Sequence, residues 1–124
     1  MDKFQALQSF WSSFGIPAYD ESTVPTGENK PEMPYITYDA VVGSLGDSCA
    51  MSASVWYRGT SWSQVTTKLA EIASVLSRSG KLIPTDEGAV WLKPGSPFAQ
   101  RMADSDDMVR RIFINITAEY ITNR

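Results

Sequence analysis

The sequence predicts an α+β domain: a single antiparallel sheet of about four strands with two helices packed on one face. Three observations predict it. From Asp107 to Thr122 the chain alternates strictly, with Ile112, Ile114, Ile116, Ala118 and Tyr120 against Arg111, Phe113, Asn115, Thr117 and Glu119. A period of two over such a length, rich in β-branched residues, reads as a long half-buried strand. A second alternation at Ser48–Tyr57 follows the strand candidate Pro34–Val42. Two further stretches carry apolar residues at helical spacing instead.

The first element in the chain is a short aromatic helix. Asp2 and Gln5 stand at capping-box spacing, Phe4, Leu7, Trp11 and Phe14 form a stripe flanked by Phe10, and Gly15 and Pro17 end it. The burial preference of such side chains makes this stripe core. Ile16–Tyr19 reads as a short extended piece. Asp20–Met33, with Pro25, Gly27, Pro31 and several acids, reads as a long loop, and long loops are often functional.

Pro34–Val42 and Ser48–Tyr57 then form a hairpin around the turn Gly43–Asp47. Cys49 falls on the apolar face of the second strand, with Met51, Ala53, Val55 and Tyr57, and reads as a small buried hydrophobe. Thr60–Gln64 opens the second helix, with Ser61 and Gln64 at capping-box spacing. Val65, Leu69, Ile72, Val75 and Leu76 form its stripe, and Gly80 is its expected stop. Lys81–Ile83 and Ala89–Lys93 flank a turn and read as a second hairpin, ended by Pro94–Pro97. Phe98–Met102 is expected to form one turn of helix before the final strand. The helices would cover the apolar face of the sheet and leave the Ser/Thr/Asn face open.

At 124 residues the chain is expected to be one domain, 1–124, with a core of its own. No apolar run is long enough to span a bilayer, and the N-terminus shows no signal-peptide apolar core. The single cysteine cannot form an internal disulfide, which suits a reducing cytoplasm. A net charge of −3 and a pI near 4.8 disfavour binding to nucleic acid or an anionic membrane.

The residues for familiar chemistry are missing. There is no histidine, so the commonest general base and metal ligand is absent. No Gly-rich phosphate loop occurs, and the lone Cys49 has no partner for thiol or zinc chemistry. Asp104, Asp106 and Asp107 could bind a hard cation, but their spacing matches no calcium loop and reads as a solvated turn. No enzyme activity, cofactor or metal is expected. Trp56, Trp62 and Trp91 either stack on a sugar or a protein partner, or lie partly buried under a loop.

The order of elements and several local phrases resemble the tail terminator and tail-completion proteins of long-tailed phages and prophages, small virion proteins also described as minor tail or minor capsid proteins. The resemblance rests on Met33–Tyr38, on Ser54–Tyr57 running into a Ser-initiated helix, and on the closing strand from Gln100 to Tyr120. It implies a structural protein made in the bacterial cytoplasm. Its subunits would assemble as a homo-oligomeric ring, typically a hexamer, at the head-proximal end of the tail tube. The tail tube protein and the head–tail connector would be its partners. A head–tail connector of the same virion is an alternative, since neck proteins share the scale of this sequence. A monomeric ligand- or carbohydrate-binding module using Trp56, Trp91 and Phe113 is the rival from another class.

Open sheet edges and mobile loops are the parts most able to pair with another chain. The expected interface residues are Glu21, Thr23, Glu28 and Lys30 in the first loop, Ser44, Leu45 and Asp47 in the second, and Trp56, Arg111 and Phe113 on the polar face.

Overall fold

The C-terminal strand lies inside the sheet, between two long neighbours. In the computed structural model, which describes residues 1–41 and 48–122, it spans Val109–Thr122. In chain order the elements are α1 (Lys3–Ser12), β1 (Ala18–Asp20), a 3₁₀ turn (Gly27–Asn29), β2 (Tyr35–Tyr38), β3 (Ser48–Arg58), α2 (Ser63–Leu76), β4 (Lys81–Thr85), β5 (Gly88–Met102) and β6 (Val109–Thr122). Ile112, Ile114, Ile116, Ala118 and Tyr120 are buried, while Arg111, Phe113, Asn115, Thr117 and Glu119 are only half-buried. The strict alternation of β6 is therefore the alternation of its two faces.

The sheet has six strands in the order β1-β2-β3-β6-β5-β4 and curls into a half-barrel. This corrects the expectation of about four antiparallel strands. The extra strand at one edge is β1, a piece of three residues that pairs in parallel with β2, so the sheet is mixed. A parallel pair needs a crossover connection to bring the chain back. Residues 21–34 carry that return and include the 3₁₀ turn, where a loop was expected over Asp20–Met33.

The second correction is in β5. Expected to stop at Pro94, it runs for 15 residues, and Phe98–Met102 is strand rather than helix. A register shift between Pro94 and Ala99 leaves Pro97 outside the ladder, while Pro94, the last residue before the shift, stands opposite Ile116. Gly95 fits the irregularity because a Cβ there would come within 2.8 Å of the Asn115 carbonyl oxygen. The Asn115 side chain donates to Pro97 O at 3.0 Å and ties the bulge to β6.

Both halves of the capping box at α1 form: Gln5 N–H donates to Asp2 Oδ1 at 2.8 Å, and Asp2 N–H to Gln5 Oε1 at 2.9 Å. The box expected at Ser61 and Gln64 does not form. Helix α2 starts at Ser63 after Trp62, whose backbone is already helical, and Ser61 Oγ instead accepts from Ser63 N–H at 3.1 Å. That helix ends at Ser77, with φ of +54°, before Gly80 is reached. Gly80 (φ +88°) serves the turn into β4, where a Cβ would lie 2.5 Å from Leu92 O.

One core joins both helices to the inward rows of the sheet: Leu7, Phe10 and Trp11 from α1, Val65, Ile72 and Leu76 from α2, and Met51, Val55, Val90, Leu92 and Ile114 from the strands. Two members of the expected stripes lie outside it, Phe4 at 55% and Val75 at 42% exposure. Ala6 takes the inward place on α1. Cys49 is half-buried on the core side, with Sγ 3.6 Å from Val41 O.

Candidate functional site on the open sheet face

The side chains facing away from the helices form rows fixed by the register. Tyr35, Trp56, Arg111 and Met102 stand opposite one another in succession, and Thr37, Ser54, Phe113 and Gln100 form the next row. Two hydrogen bonds cross between the rows. The Trp56 indole N–H donates to Thr37 Oγ1 at 2.9 Å, and Arg111 Nε–H donates to Ser54 Oγ at 3.0 Å. These bonds hold the larger groups flat. The Arg111 guanidinium lies 4.5 Å from the Trp56 ring centre and 5.8 Å from that of Phe113. Tyr35 adds a ring 6.1 Å from Trp56, and Tyr19 another 6.0 Å from Tyr35. Tyr19, Tyr35, Trp56, Arg111 and Phe113 thus make a ladder across four strands. The ladder shields Ser54, which is fully buried on a face the sequence reading left open. Burial first, then the nearby Asp104 carboxylate and the Tyr19 phenol, push the Tyr35 phenol up, so it stays a neutral hydroxyl.

Where the ladder ends, a cleft of about 680 Å³ opens between residues 30–33 and 104–106, with Trp56, Arg58 and Val109 along it. Of its carboxylates, those of Asp104 and Asp106 are engaged in the chain's own turns, while Glu32 at the opposite rim is in no ion pair among the described residues. Asp104 Oδ1 accepts from Asp106 N–H at 2.9 Å, Asp106 Oδ1 from Met108 N–H at 2.9 Å, and Asp106 Oδ2 from both Arg58 terminal nitrogens at 2.9 and 2.7 Å. Among the described residues, no group of three or more acidic or sulfur side chains converges as metal ligands do.

Three other cation–aromatic contacts lie elsewhere. Arg101 and Arg110 approach Trp62 at 4.6 and 5.5 Å, at the start of α2. Lys93 lies 4.2 Å from Trp91. Trp91 shares the outer face but stands opposite Glu119, whereas Trp56 stands opposite Arg111. At a strand rise of about 3.3 Å per residue, those positions are on the order of 25 Å apart along β6. Trp91 and Trp56 therefore cannot stack on one small ligand.

Of the expected interface residues, Trp56, Arg111 and Phe113 come together in the ladder. Glu21 and Thr23 sit in the turn after β1, Glu28 in the 3₁₀ turn, and Lys30 at the cleft rim, all exposed. Ser44, Leu45 and Asp47 lie outside the described residues. Tyr19, Tyr35 and Thr37 are members that sequence reasoning missed. The phrase Tyr-Ile-Thr-Tyr did place Tyr35 and Thr37 on one face, but the register that brings them to Trp56 is not written in it.

No protein-family model matches the chain, and a search of curated proteins finds no match either. No helix among the described residues is long and apolar enough to cross a membrane.

Proposed function

We propose that this chain is a structural protein of a virion, acting by assembly rather than by catalysis. Within that class, the reading is a tail terminator or tail-completion protein of a long-tailed phage or prophage. It would form a homo-oligomeric ring at the head-proximal end of the tail tube, between the tube protein and the head–tail connector. The observation that supports it best is the ladder of Tyr19, Tyr35, Trp56, Arg111 and Phe113 on a broad face with few charges. Tyrosine, tryptophan and arginine are the residues that anchor protein interfaces. Beside the ladder, Asp104 and Asp106 are tied into the chain's own turn and to Arg58. The wide separation of Trp56 and Trp91 counts against the carbohydrate platform.

Mass by light scattering, with negative-stain microscopy of the protein alone and with tail tubes, tests this reading. Rings capping tube ends are the expected result. Rings that bind heads but not tubes would move the assignment to the connector. A monomer in every condition, retained by immobilised glycans, would replace assembly with ligand binding.

A further inference from the structure

The two ends of the sheet differ in what they offer another chain. Ala18–Asp20 stand opposite Ile36–Tyr38, those opposite Ala53–Val55, those opposite Ile112–Ile114, and those opposite Ala99–Arg101. One level row thus runs from β1 to the second half of β5. At the β1 end the outward carbonyls are already taken. The bonds of β1 to β2 run through Pro17 O and Glu21 N–H, which turns Ala18 and Asp20 outward. Ala18 O already accepts from the Gln8 side chain at 3.0 Å, and Asp20 O from Thr23 N–H at 2.9 Å. The β5 end is open. Strand β4 pairs only with Gly88–Leu92, so Ala99–Met102 have β6 on one side and no backbone partner on the other among the described residues. Gln100 and Arg101 are exposed there. An unpaired edge of this kind is a template for another chain.

Charge separates the same two ends. After β1 the chain enters a segment with Glu21, Glu28 and Glu32 exposed against a single exposed Lys30, and none of the three acids is in an ion pair among the described residues. Beside the open edge, Arg101, Lys93 and Lys81 are likewise in no ion pair among the described residues, though Arg101 lies over Trp62 and Lys93 over Trp91. Asp104, just past the strand end, turns into the cleft.

We infer that the open edge of β5 at Ala99–Met102 receives the acidic segment 21–32 of a second copy of this chain. The inference rests on the assembly reading and names the surface through which it would operate. The contact is head-to-tail, acidic end to basic end, and it leaves each copy with one end of each kind. The strand that leads into the donor segment, Ala18–Asp20, lies in the same row as the receiver, and head-to-tail contacts of this kind form a ring when the rotation per copy closes.

The test is sedimentation velocity at rising concentration on four proteins: wild type, Arg101→Glu, Glu21→Lys/Glu28→Lys, and the two combined. Thermal melts accompany them, and Lys93→Glu serves as a second receiver variant should Arg101→Glu melt early. Salt-sensitive association is expected for the wild type, weakened about tenfold or more in each single-side variant and regained in the combined one. Carbodiimide coupling of mixed light and heavy-nitrogen protein should join Lys93 of one copy to the acidic segment of another. Wild-type association that survives both single-side changes would overturn the edge contact while leaving the ring itself standing. A wild type that stays monomeric at millimolar concentration overturns self-docking at this edge, and the tail-tube microscopy then decides the ring separately.

Discussion

Arg111 and Trp56 stand directly opposite each other on β6 and β3, with the guanidinium 4.5 Å from the ring centre. The contact is held from both sides. Arg111 Nε–H is bound to Ser54, and the Trp56 indole N–H to Thr37. Replacing Arg111 by Ala removes the stacked cation and leaves the buried Ser54 hydroxyl without its donor. Arg111→Ala should cost about 1–2 kcal/mol in urea denaturation. Arg111→Lys should recover only part of that, because an ammonium lacks the planar stacking surface. An unchanged midpoint in Arg111→Ala would mean the ladder contributes nothing to the fold.

The core makes a larger demand. Ile72 at the centre of α2 and Ile114 at the centre of β6 are both fully buried in one cluster. Ile72→Ala or Ile114→Ala should each cost about 2–5 kcal/mol, through lost burial and the cavity left behind. Melting within a degree of the wild type in either variant would contradict this packing.

Both isoleucines were legible because strict periodicity assigns faces without any knowledge of partners. The same holds for Trp56, Arg111 and Phe113, which the alternation of β3 and β6 sends to the outer side. Register was not legible, so Tyr35 and Thr37 could not be placed beside Trp56. Nor was parallel pairing: three residues, Ala18–Asp20, are too few for a pattern, yet they make the sheet mixed. Pro94 and Pro97 read as a strand end because proline breaks ladders, and a bulge relieves that conflict only once β6 supplies Asn115. Phe4 and Val75 are apolar and correctly spaced but lie at the margins of their stripes, where helix orientation decides exposure.

Alkaline pH should weaken the fold through its tyrosines. Burial, then Cys49 and Asp39, pushes the Tyr120 phenol up to about 12, and its hydroxyl donates to Val41 O. An unfolded tyrosine ionises near about 10. Between those values the unfolded chain gives up its proton first, so folding loses ground as pH rises. The contribution of Tyr120 is full below about pH 10 and is lost as pH climbs toward 12. Tyr35 and Tyr38, both raised chiefly by burial, act in the same direction. Melting temperature should fall across that window, and less steeply in Tyr120→Phe. Equal slopes for the two proteins would contradict the assignment.

The acidic turn should tolerate change. Asp106 pairs with Arg58 in an ion pair whose side chains are 42% and 56% exposed, and such pairs contribute little, about 0–1 kcal/mol. Asp104→Asn/Asp106→Asn should remain folded with a small loss of stability. Calorimetric titration with calcium or magnesium should give no saturable heat. Stoichiometric binding by the wild type, lost in the double variant, would reopen a metal-dependent function for the cleft.

The central claim is that the protein works by assembling, and that the crossover segment 21–32 takes part. A few linking residues would be a poor substitute for a connection that must return the chain to the start of β2. The decisive variant therefore replaces residues 21–32 with a Gly/Ser segment of equal length. It should melt close to the wild type, because the segment supplies no side chain to the core cluster. The measurement is complementation of a terminator-defective phage, with virions counted as plaques and tails viewed by negative stain. The account predicts a folded variant that yields few plaques and tails of uncontrolled length. Full complementation, with tails of normal length, would contradict it.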